Sequence, residues 1–295
     1  MGKRVIRATG KVQLGDFSSG ARLGDYVIDH ELPATGTGIV YAAHHVTIAE
    51  RRVTLRIAPV ATPLEDVAFH LEELGHPGTP RIFATGALPD HRRWVAVEHI
   101  VGSTVADVIA HRTMSNLECL ALLRDVSDLL ARAHEKGIVH GNIRPDNIVV
   151  PDDRRTTICL SGWEGARFET STDPSPLVRG SDYTAPEQLR GVDDARTDVY
   201  ALGVIIHRAL HGVLPHERSR RGTSLIETLI DQMLCGRPDL RPSAARVRAA
   251  VAYLCTTSQI DKRQSWIVPT VALNLDLLEE QTEICDADAL LPSVD

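Results

Sequence analysis

Lysine is scarce in this chain: only four of its 32 basic residues are lysine, and none lies between Lys11 and Lys136. After Arg263 basic residues are absent altogether, whereas seven acidic residues follow. Residues 1–263 hold 32 acids and 32 bases, so the tail carries the whole net charge of -7. Contacts to nucleic-acid phosphates require clustered cations, so we expect no nucleic-acid partner.

Long apolar runs and paired cysteines are also lacking. The longest apolar run, 199–206, falls far short of the roughly 20 residues that span a bilayer, and the N-terminus has no signal-peptide core. The five cysteines form no C-x-x-C pair, and the histidines show no metal-ligand spacing. We therefore expect a cytoplasmic protein with free thiols, no membrane span and no structural metal.

The order of hydrophobic patterns predicts an α+β fold with two lobes. Residues 26–98 contain short β-branched runs separated by turn residues, with one helical stretch at 63–74, and predict a small mostly-β lobe. Residues 104–254 show helical periodicity and predict a larger mostly-α lobe. The strands are expected at 26–32, 39–43, 52–57, 81–83 and 94–97, and the helices at 115–136, 196–211, 223–235 and 242–254.

The two ends of the chain are expected to lie outside this domain. Residues 1–25 are Gly-rich and weakly patterned, and we interpret them as a flexible arm. Residues 255–295 form the acidic tail, whose alternating apolar positions at 271–277 fit an added strand. A solvated, disordered tail is the alternative. The predicted two-lobed domain therefore covers residues 26–254.

Four segments in order resemble the landmarks of the protein kinase superfamily, and of bacterial Ser/Thr kinases most. His140 and Asn147 match the catalytic-loop pattern H-R-D-L-x-x-x-N at the right spacing. Residues 183–187, Tyr-Thr-Ala-Pro-Glu, resemble the end of the activation segment. Residues 194–203 resemble the helix that follows it, and residues 240–244, Leu-Arg-Pro-Ser-Ala, resemble a late Arg-Pro-Ser-Ala segment.

The resemblance implies a bilobal fold with a nucleotide cleft, and it assigns roles to residues that are present. Asp198 would support the backbone of the catalytic loop, Glu187 and Arg241 would form a structural ion pair, and His140 would be a packed fold residue. The nucleotide would be bound by the residues that align with the kinase pocket. These are Gly38, Val40, Thr54, Arg56, Glu98, Ile100, Asn147 and Val149.

The parts of the pattern that handle phosphate are altered. The Gly-rich loop G-x-G-x-x-G-x-V aligns with residues 33–40, where Pro33 and Thr35 replace the first two glycines and Gly38 keeps the third. Proline offers no backbone N–H to a phosphate. Arg56 occupies the lysine position, and the absence of lysine between 11 and 136 means that no neighbouring strand can supply one.

The positions for proton transfer and metal binding are altered as well. Asn142 stands at the position of the base Asp, and an amide cannot accept the substrate proton. Gly141 replaces the preceding arginine, and Arg144 replaces the usual catalytic-loop lysine. Gly162 stands where the D-F-G motif has its metal-binding Asp, so Asn147 remains as a weak metal ligand. The nearest following carboxylate is Glu164, two residues after Gly162.

These substitutions favour a pseudokinase that acts in signalling as a scaffold or allosteric regulator. One alternative is an atypical but active ATP-dependent Ser/Thr kinase that uses Arg56, Asn147 and Glu164. A second alternative is a nucleotide sensor that binds ATP weakly, without Mg²⁺, and transfers nothing. The expected partner is a protein, an active Ser/Thr kinase or a phosphothreonine-reading module, which would bind the tail at 256–295 through Thr270 or Thr282.

Overall fold

A six-stranded antiparallel sheet forms the N-terminal lobe of the computed structural model. The strands are β1 (Arg22–Leu23), β2 (Tyr26–Leu32), β3 (Ile39–His45), β4 (Arg52–Ala58), β5 (Ile82–Ala87) and β6 (Arg93–Glu98). They are arranged in the order β1-β2-β3-β4-β6-β5. The structure describes residues 17–33, 38–58, 68, 71–152, 156–163, 166–168, 180–192, 194–217 and 224–257.

Period-two alternation divides the side chains of this sheet between two faces. One face packs into the core of the lobe and includes Tyr41, Leu55 and Trp94. Val40 pairs with Arg56 across β3 and β4, and Thr54 pairs with Val97 across β4 and β6, so these four side chains share the other face. That second face is the roof of the cleft.

Helices dominate the C-terminal lobe. They are α1 (Val105–His111), α2 (Asn116–Glu135), α3 (Ala195–His211), α4 (Leu225–Met233) and α5 (Ala244–Thr257). Helix α2 starts at a capping box in which the Ser115 hydroxyl accepts the N–H of Glu118 and the Glu118 carboxylate accepts the N–H of Ser115. Helix α3 is apolar nearly all round, and most of its side chains are buried in the core of the lobe.

Short strands just before α1 and between α2 and α3 carry the loops that face the cleft. Strands β7 (Gly102–Thr104), β9 (Ile148–Pro151) and β10 (Cys159–Leu160) form one small sheet. Strands β8 (Ile138–Val139) and β11 (Arg167–Phe168) form another. A 3₁₀ turn at Pro145–Asn147 lies between β8 and β9, so residues 140–147 form one continuous loop at the cleft.

The α+β bilobal prediction is confirmed, but the N-terminal arm needs correction. The expected strands and the helices of the large lobe are observed within a few residues of their predicted ends. Of the helical stretch predicted at 63–74, only residues 68 and 71–74 are described, and the rest lies outside the described residues. Residues 17–25, predicted as part of a flexible arm, belong to the lobe: Arg22–Leu23 pairs with β2, and the N–H of Phe17 donates to the Tyr41 hydroxyl. The tail from residue 258 onward lies outside the described residues.

Candidate functional site

A buried carboxylate fixes the loop that follows β8. Asp198 accepts the backbone N–H groups of His140 at 2.9 Å and Gly141 at 2.8 Å, and it pairs with Nε2 of His134 at 2.9 Å. Burial acts to raise the pKa of Asp198, but the hydrogen bond and charge of His134, with the N–H of His140, outweigh it and lower that pKa. Asp198 therefore stays ionised and holds the loop backbone.

His140 is enclosed by its own loop. Its Nδ1 accepts the N–H of Asn142 at 3.2 Å, which leaves Nε2 to donate to the carbonyl of Ser161 at 3.0 Å. The ring packs edge-on against Trp163, with centroids 4.4 Å apart. Both ring nitrogens are engaged, so His140 acts in packing and has no free nitrogen for proton transfer.

The position expected to carry the metal-binding Asp is filled by a neighbour. Gly162 has φ of +87°, and a Cβ built on it would lie 2.4 Å from Nδ2 and 2.7 Å from Cγ of Asn147. The Asn147 amide is buried and donates to the carbonyl of Asn142 at 2.9 Å. The amide side chain of Asn147 thus occupies the space that a carboxylate at 162 would enter.

The residues present do not fit a Mg²⁺ ion. Mg²⁺ in phosphoryl-transfer sites is held by one or two carboxylates together with substrate phosphates. Gly162 supplies no carboxylate, and Asn147 directs its amide toward Asn142. The carboxylate nearest to Asn147 in the sequence is that of Asp146, the preceding residue. Within the described ranges, no three His, Cys, Asp or Glu side chains cluster closely enough to hold a metal ion.

A cleft of about 350 Å³ lies between the roof of the small lobe and the loops of the large lobe. Most of its lining is apolar, from Val40 in the roof to Val149 of β9. Behind Val97 it continues to Leu71 and Val95. Its volume falls within the range of small-molecule sites, about 300–1,000 Å³. The cleft is therefore large enough for a nucleoside-sized ligand.

Thr54 and His99 connect the roof to the segment that joins the lobes. The Thr54 hydroxyl lies 3.0 Å from Nδ1 of His99, and both residues line the cleft. Burial lowers the pKa of His99, and the charges of Arg52 and His30 lower it further. The His99 imidazole is therefore neutral at neutral pH, and its Nδ1 accepts the hydroxyl proton when Nε2 carries the ring proton.

Gly38, the glycine that the altered loop retains, is required by the local packing. Gly38 has φ of +112°, and a Cβ built there would lie 2.4 Å from the carbonyl oxygen of Ile57. Only glycine allows β3 to approach β4 this closely. The presence of Gly38 is thus explained by sheet packing, without any phosphate.

Glu187 and Arg241 form a buried ion pair in the large lobe. The Arg241 guanidinium donates to both Glu187 oxygens, with Nη2 2.8 Å from Oε2. Its Nε donates to the carbonyl of Cys235 at 2.6 Å, and the guanidinium stacks on Tyr200. Satisfying both charges in this way is what makes their burial tolerable.

Most of the predicted nucleotide-binding residues line the cleft together. Those that do are Val40, Thr54, Arg56, Glu98, Ile100, Asn147 and Val149, joined by Gly162. Gly38, Asn142 and Arg144 are not among the lining residues. Glu72, an acidic residue of the segment at 71–74, is exposed and accepts the N–H of Ile82 at 3.3 Å. Glu164 lies outside the described residues.

Sequence reasoning missed several lining residues. His99 and Asp146 contribute polar groups to the cleft, and Leu71, Ile82 and Val95 extend it behind Val97. Asp146 stands next to the identified Asn147, and this adjacency was a usable signal. This apolar extension is lined by residues from the segment at 71–74 and from β5 and β6, which sequence spacing does not display.

The structure has a small β lobe, a helical lobe and, beside the cleft, a loop fixed by a buried Asp. This combination is typical of protein kinase-like proteins. The chain belongs to the protein kinase family, because residues 70–251 match the model described as "Protein kinase domain". This range covers more than half of the 295 residues.

Several curated proteins with similar sequences come from bacteria. A probable serine/threonine-protein kinase, PknB of Lactococcus lactis, is 26% identical over 65% of this chain and 32% of its own length. Serine/threonine-protein kinase PknJ of Mycobacterium tuberculosis is 28% identical over 68% of this chain and 36% of its own length. Serine/threonine-protein kinase Pkn1 of Myxococcus xanthus is 30% identical over 69% of this chain and 31% of its own length. The chain thus spans about a third of the length of these relatives. Among the described residues, no helix has the length and apolarity needed to cross a membrane.

Proposed function

We propose that this kinase-like chain is a catalytically impaired pseudokinase that acts by binding. The observation that carries the proposal is the arrangement of Gly162 and Asn147. One residue lacks the carboxylate for Mg²⁺, and the other occupies its space while bonded to Asn142. Phosphoryl transfer depends on positioning and on neutralising the phosphate charge, so losing this metal site removes a principal contribution to catalysis.

The positions of Asn142 and Arg56 support the same proposal. Asn142 offers an amide where a base would accept the substrate proton, and such a base typically contributes about 10²–10⁴-fold to the rate. Arg56 lines the cleft but brings a wide planar cation in place of a compact ammonium. The losses in rate caused by altering residues that act together do not add. Even so, phosphoryl transfer would have to proceed without a base at position 142 and without a metal-binding carboxylate at position 162.

Weak ATP binding without Mg²⁺ is part of the proposal. Membership of the protein kinase family implies a nucleotide cleft, and the cavity of about 350 Å³ keeps apolar walls and a cation at Arg56. Because the residues at 147 and 162 do not fit a metal, adding Mg²⁺ is expected to leave the ATP affinity unchanged.

The second candidate function is an atypical but active Ser/Thr kinase. The curated relatives are named as serine/threonine-protein kinases, and Arg56 and Asn147 line one cavity. In this alternative, Asn147 and Glu164 would bind the metal ion. The Asn147 amide would have to leave the carbonyl of Asn142 before it could act as a ligand.

A signalling role through a protein partner completes the proposal. The acidic segment 256–295, which contains Thr270 and Thr282, is the candidate docking segment for an active Ser/Thr kinase or a phosphothreonine-reading module. Binding of a purified phosphothreonine-reading domain to the full chain, before and after phosphorylation of Thr282, tests this. Equal binding by Thr282→Ala and the phosphorylated chain would contradict it.

Transfer of labelled phosphate from ATP to an added protein substrate separates the two candidate functions. We expect no transfer by the full chain with Mg²⁺ or Mn²⁺, and none by Arg56→Lys, which restores the compact ammonium. The Arg56→Ala variant is the control, because it removes the remaining cation. Transfer that depends on Arg56 would overturn the pseudokinase proposal.

A further inference from the structure

Cys235 differs from the other described cysteines. Cys119, Cys159 and Cys255 carry free thiols, whereas Cys235 is disulfide-bonded. The expectation of free thiols is therefore wrong for Cys235. The chain has five cysteines, and the fifth is Cys285, which lies outside the described residues. Because the other three are free, Cys285 is the one partner that this chain itself can supply.

The backbone of Cys235 is fixed beside the start of helix α5. Its N–H donates to the carbonyl of Gln232 at 3.3 Å, and its carbonyl accepts Nε of Arg241 at 2.6 Å. Arg241 is held in turn by its ion pair with Glu187, and α5 begins three residues later at Ala244. The position from which the Cys235 side chain extends is therefore set by the fold of the large lobe.

The segment between α5 and Cys285 is long enough to return to this place. Helix α5 has 14 residues, so it is about 21 Å long at a rise of 1.5 Å per residue. Cys285 follows Thr257, the last residue of α5, by 28 residues. Fully extended, such a segment reaches about 90 Å, which is several times the length of the helix. Chain length therefore permits a bond between Cys285 and Cys235.

Basic side chains lie close to Cys235. Arg241, which bonds to the carbonyl of Cys235, also donates from Nη1 to the carbonyl of Arg196 at 3.2 Å. Burial lowers the pKa of Arg196 and the charge of Arg246 lowers it further, while acidic neighbours, Asp194 first among them, act against this. Arg196 and Arg246 thus form a small basic surface beside Cys235.

The residues around Cys285 are acidic. Glu283, Asp286 and Asp288 lie within three residues of it, and no basic residue lies between them and the end of the chain. Arg196 is partly withdrawn from water, which strengthens its attraction to an opposite charge. The segment around Cys285 therefore complements the basic surface in charge.

We infer that a disulfide between Cys235 and Cys285 holds the acidic tail against the large lobe, so that oxidation fastens the tail and reduction releases it. When the bond forms, the two thiols lose two protons and two electrons, and a low-molecular-weight disulfide takes these up as it is reduced to two thiols. The bond itself does not depend on the proposed function. Its consequence does, because reduction would release the candidate docking residue Thr282, three residues before Cys285.

Peptide mapping without reduction tests the bond in the full chain after equilibration with oxidised glutathione. Trypsin does not cleave Arg-Pro bonds, so Cys235 and Cys285 fall in separate peptides, 222–246 and 264–295, each with a single cysteine. We expect mass spectrometry to find these two peptides joined, and separate after reduction. Unjoined peptides, or Cys285 joined to Cys255, would overturn the inference.

Two serine variants and a non-reducing gel complete this test. Cys285→Ser should leave Cys235 unpaired, whereas Cys255→Ser is the matched control and should keep the joined peptides. The oxidised wild-type chain should migrate as a monomer. If the joined peptides occurred only in a disulfide-linked dimer, the bond would connect two copies and the assignment within one chain would be wrong.

Two neighbouring arginines of α5 test the charge complementarity. Arg246→Gln should raise the ratio of oxidised to reduced glutathione needed for half-formation of the bond by about two- to fivefold, the range expected for an exposed ion pair. Arg248→Gln is the matched control, because Arg248 is also exposed but pairs with Asp128 at 2.8 Å. Equal ratios for the two variants would refute the placement of the acidic segment beside Arg246.

Binding of a purified phosphothreonine-reading domain to the Thr282-phosphorylated chain separates this inference from the proposed function. We expect the oxidised chain to bind at least about tenfold more weakly than the reduced chain, and Cys285→Ser to bind equally under both conditions. Equal binding by both forms of the wild type would contradict release by reduction. Joined peptides without binding in either form would support the bond and contradict the docking proposal alone.

Discussion

Restoring the missing carboxylate with Gly162→Asp should damage the protein and should not activate it. The new side chain has two independent costs. Gly162 has φ of +87°, a conformation that residues with a Cβ disfavour. Its Cβ would also lie 2.4 Å from Nδ2 of Asn147, so the buried Asn147 amide would have to move.

The magnitude follows from these two costs. Placing Asp in the left-handed region costs about 1–2 kcal/mol, toward the low end because Asp tolerates it better than most residues. Moving the Asn147 amide breaks its bond to the Asn142 carbonyl and leaves a buried donor unsatisfied, which costs about 1–3 kcal/mol. We therefore expect Gly162→Asp to lower the free energy of unfolding by about 2–5 kcal/mol.

Urea denaturation at equilibrium measures this loss, and Gly191→Asp is its matched control. Gly191 has φ of +80° with nothing within 4 Å of its Cβ position, so it reports the backbone cost alone, about 1–2 kcal/mol. Equal destabilisation by the two variants would refute the assignment of the 162 space to Asn147. Mg²⁺-dependent ATP binding by Gly162→Asp would refute it as well.

The double variant Gly162→Asp/Asn147→Ala tests the contact itself. Removing the Asn147 amide makes room for the new side chain, so the double variant should be less destabilised than the sum of the single variants. Additive losses would mean that the two residues do not compete for the same space.

Three further predictions concern other parts of the molecule. Gly38→Ala should lower the unfolding free energy strongly in urea, because its Cβ would meet the Ile57 carbonyl oxygen at 2.4 Å. His99 should make thermal stability fall as the pH drops through about 6.5, because its folded-state pKa is lowered and the unfolded chain takes up the proton first. Burial raises the pKa of Cys119 to about 12, so alkylation of the native protein followed by mass spectrometry should leave it unmodified.

Each of these predictions has an internal comparison. Gly180→Ala is the control for Gly38→Ala, because a Cβ at position 180 would make only an ordinary contact of 3.5 Å. In His99→Gln the loss of stability between pH 7 and 5.5 should be smaller, and an identical pH profile would contradict the assignment to this group. Cys255 is partly exposed and should be alkylated before Cys119. The reverse order would contradict the burial argument.

Local patterns in the sequence were sufficient for much of the fold. The β-branched run at Tyr26–Leu32 is a strand with the predicted ends. Helix α2 starts one residue after its predicted N-cap, because Ser115 and Glu118 form the capping box that their spacing indicates. Such signals depend on neighbours within a few residues, which is why they can be recognised without tertiary information.

The remaining features depend on contacts between distant parts of the chain. Phe17 bonds to Tyr41 and Thr54 to His99, over separations of 24 and 45 residues. The sequence places Gly162 at the metal position but does not reveal that Asn147 fills its space, which depends on the side-chain conformation of Asn147. These features arise from tertiary packing, and no local propensity encodes them.

The most direct test of the central claim is the intact mass of the full chain after prolonged incubation with ATP and Mg²⁺ or Mn²⁺. Without a metal carboxylate at 162 or a base at 142, the chain should gain no phosphate, and its mass should equal that of the Arg56→Ala variant treated in the same way. A phosphate adduct on the wild-type chain that is absent from Arg56→Ala would contradict the account.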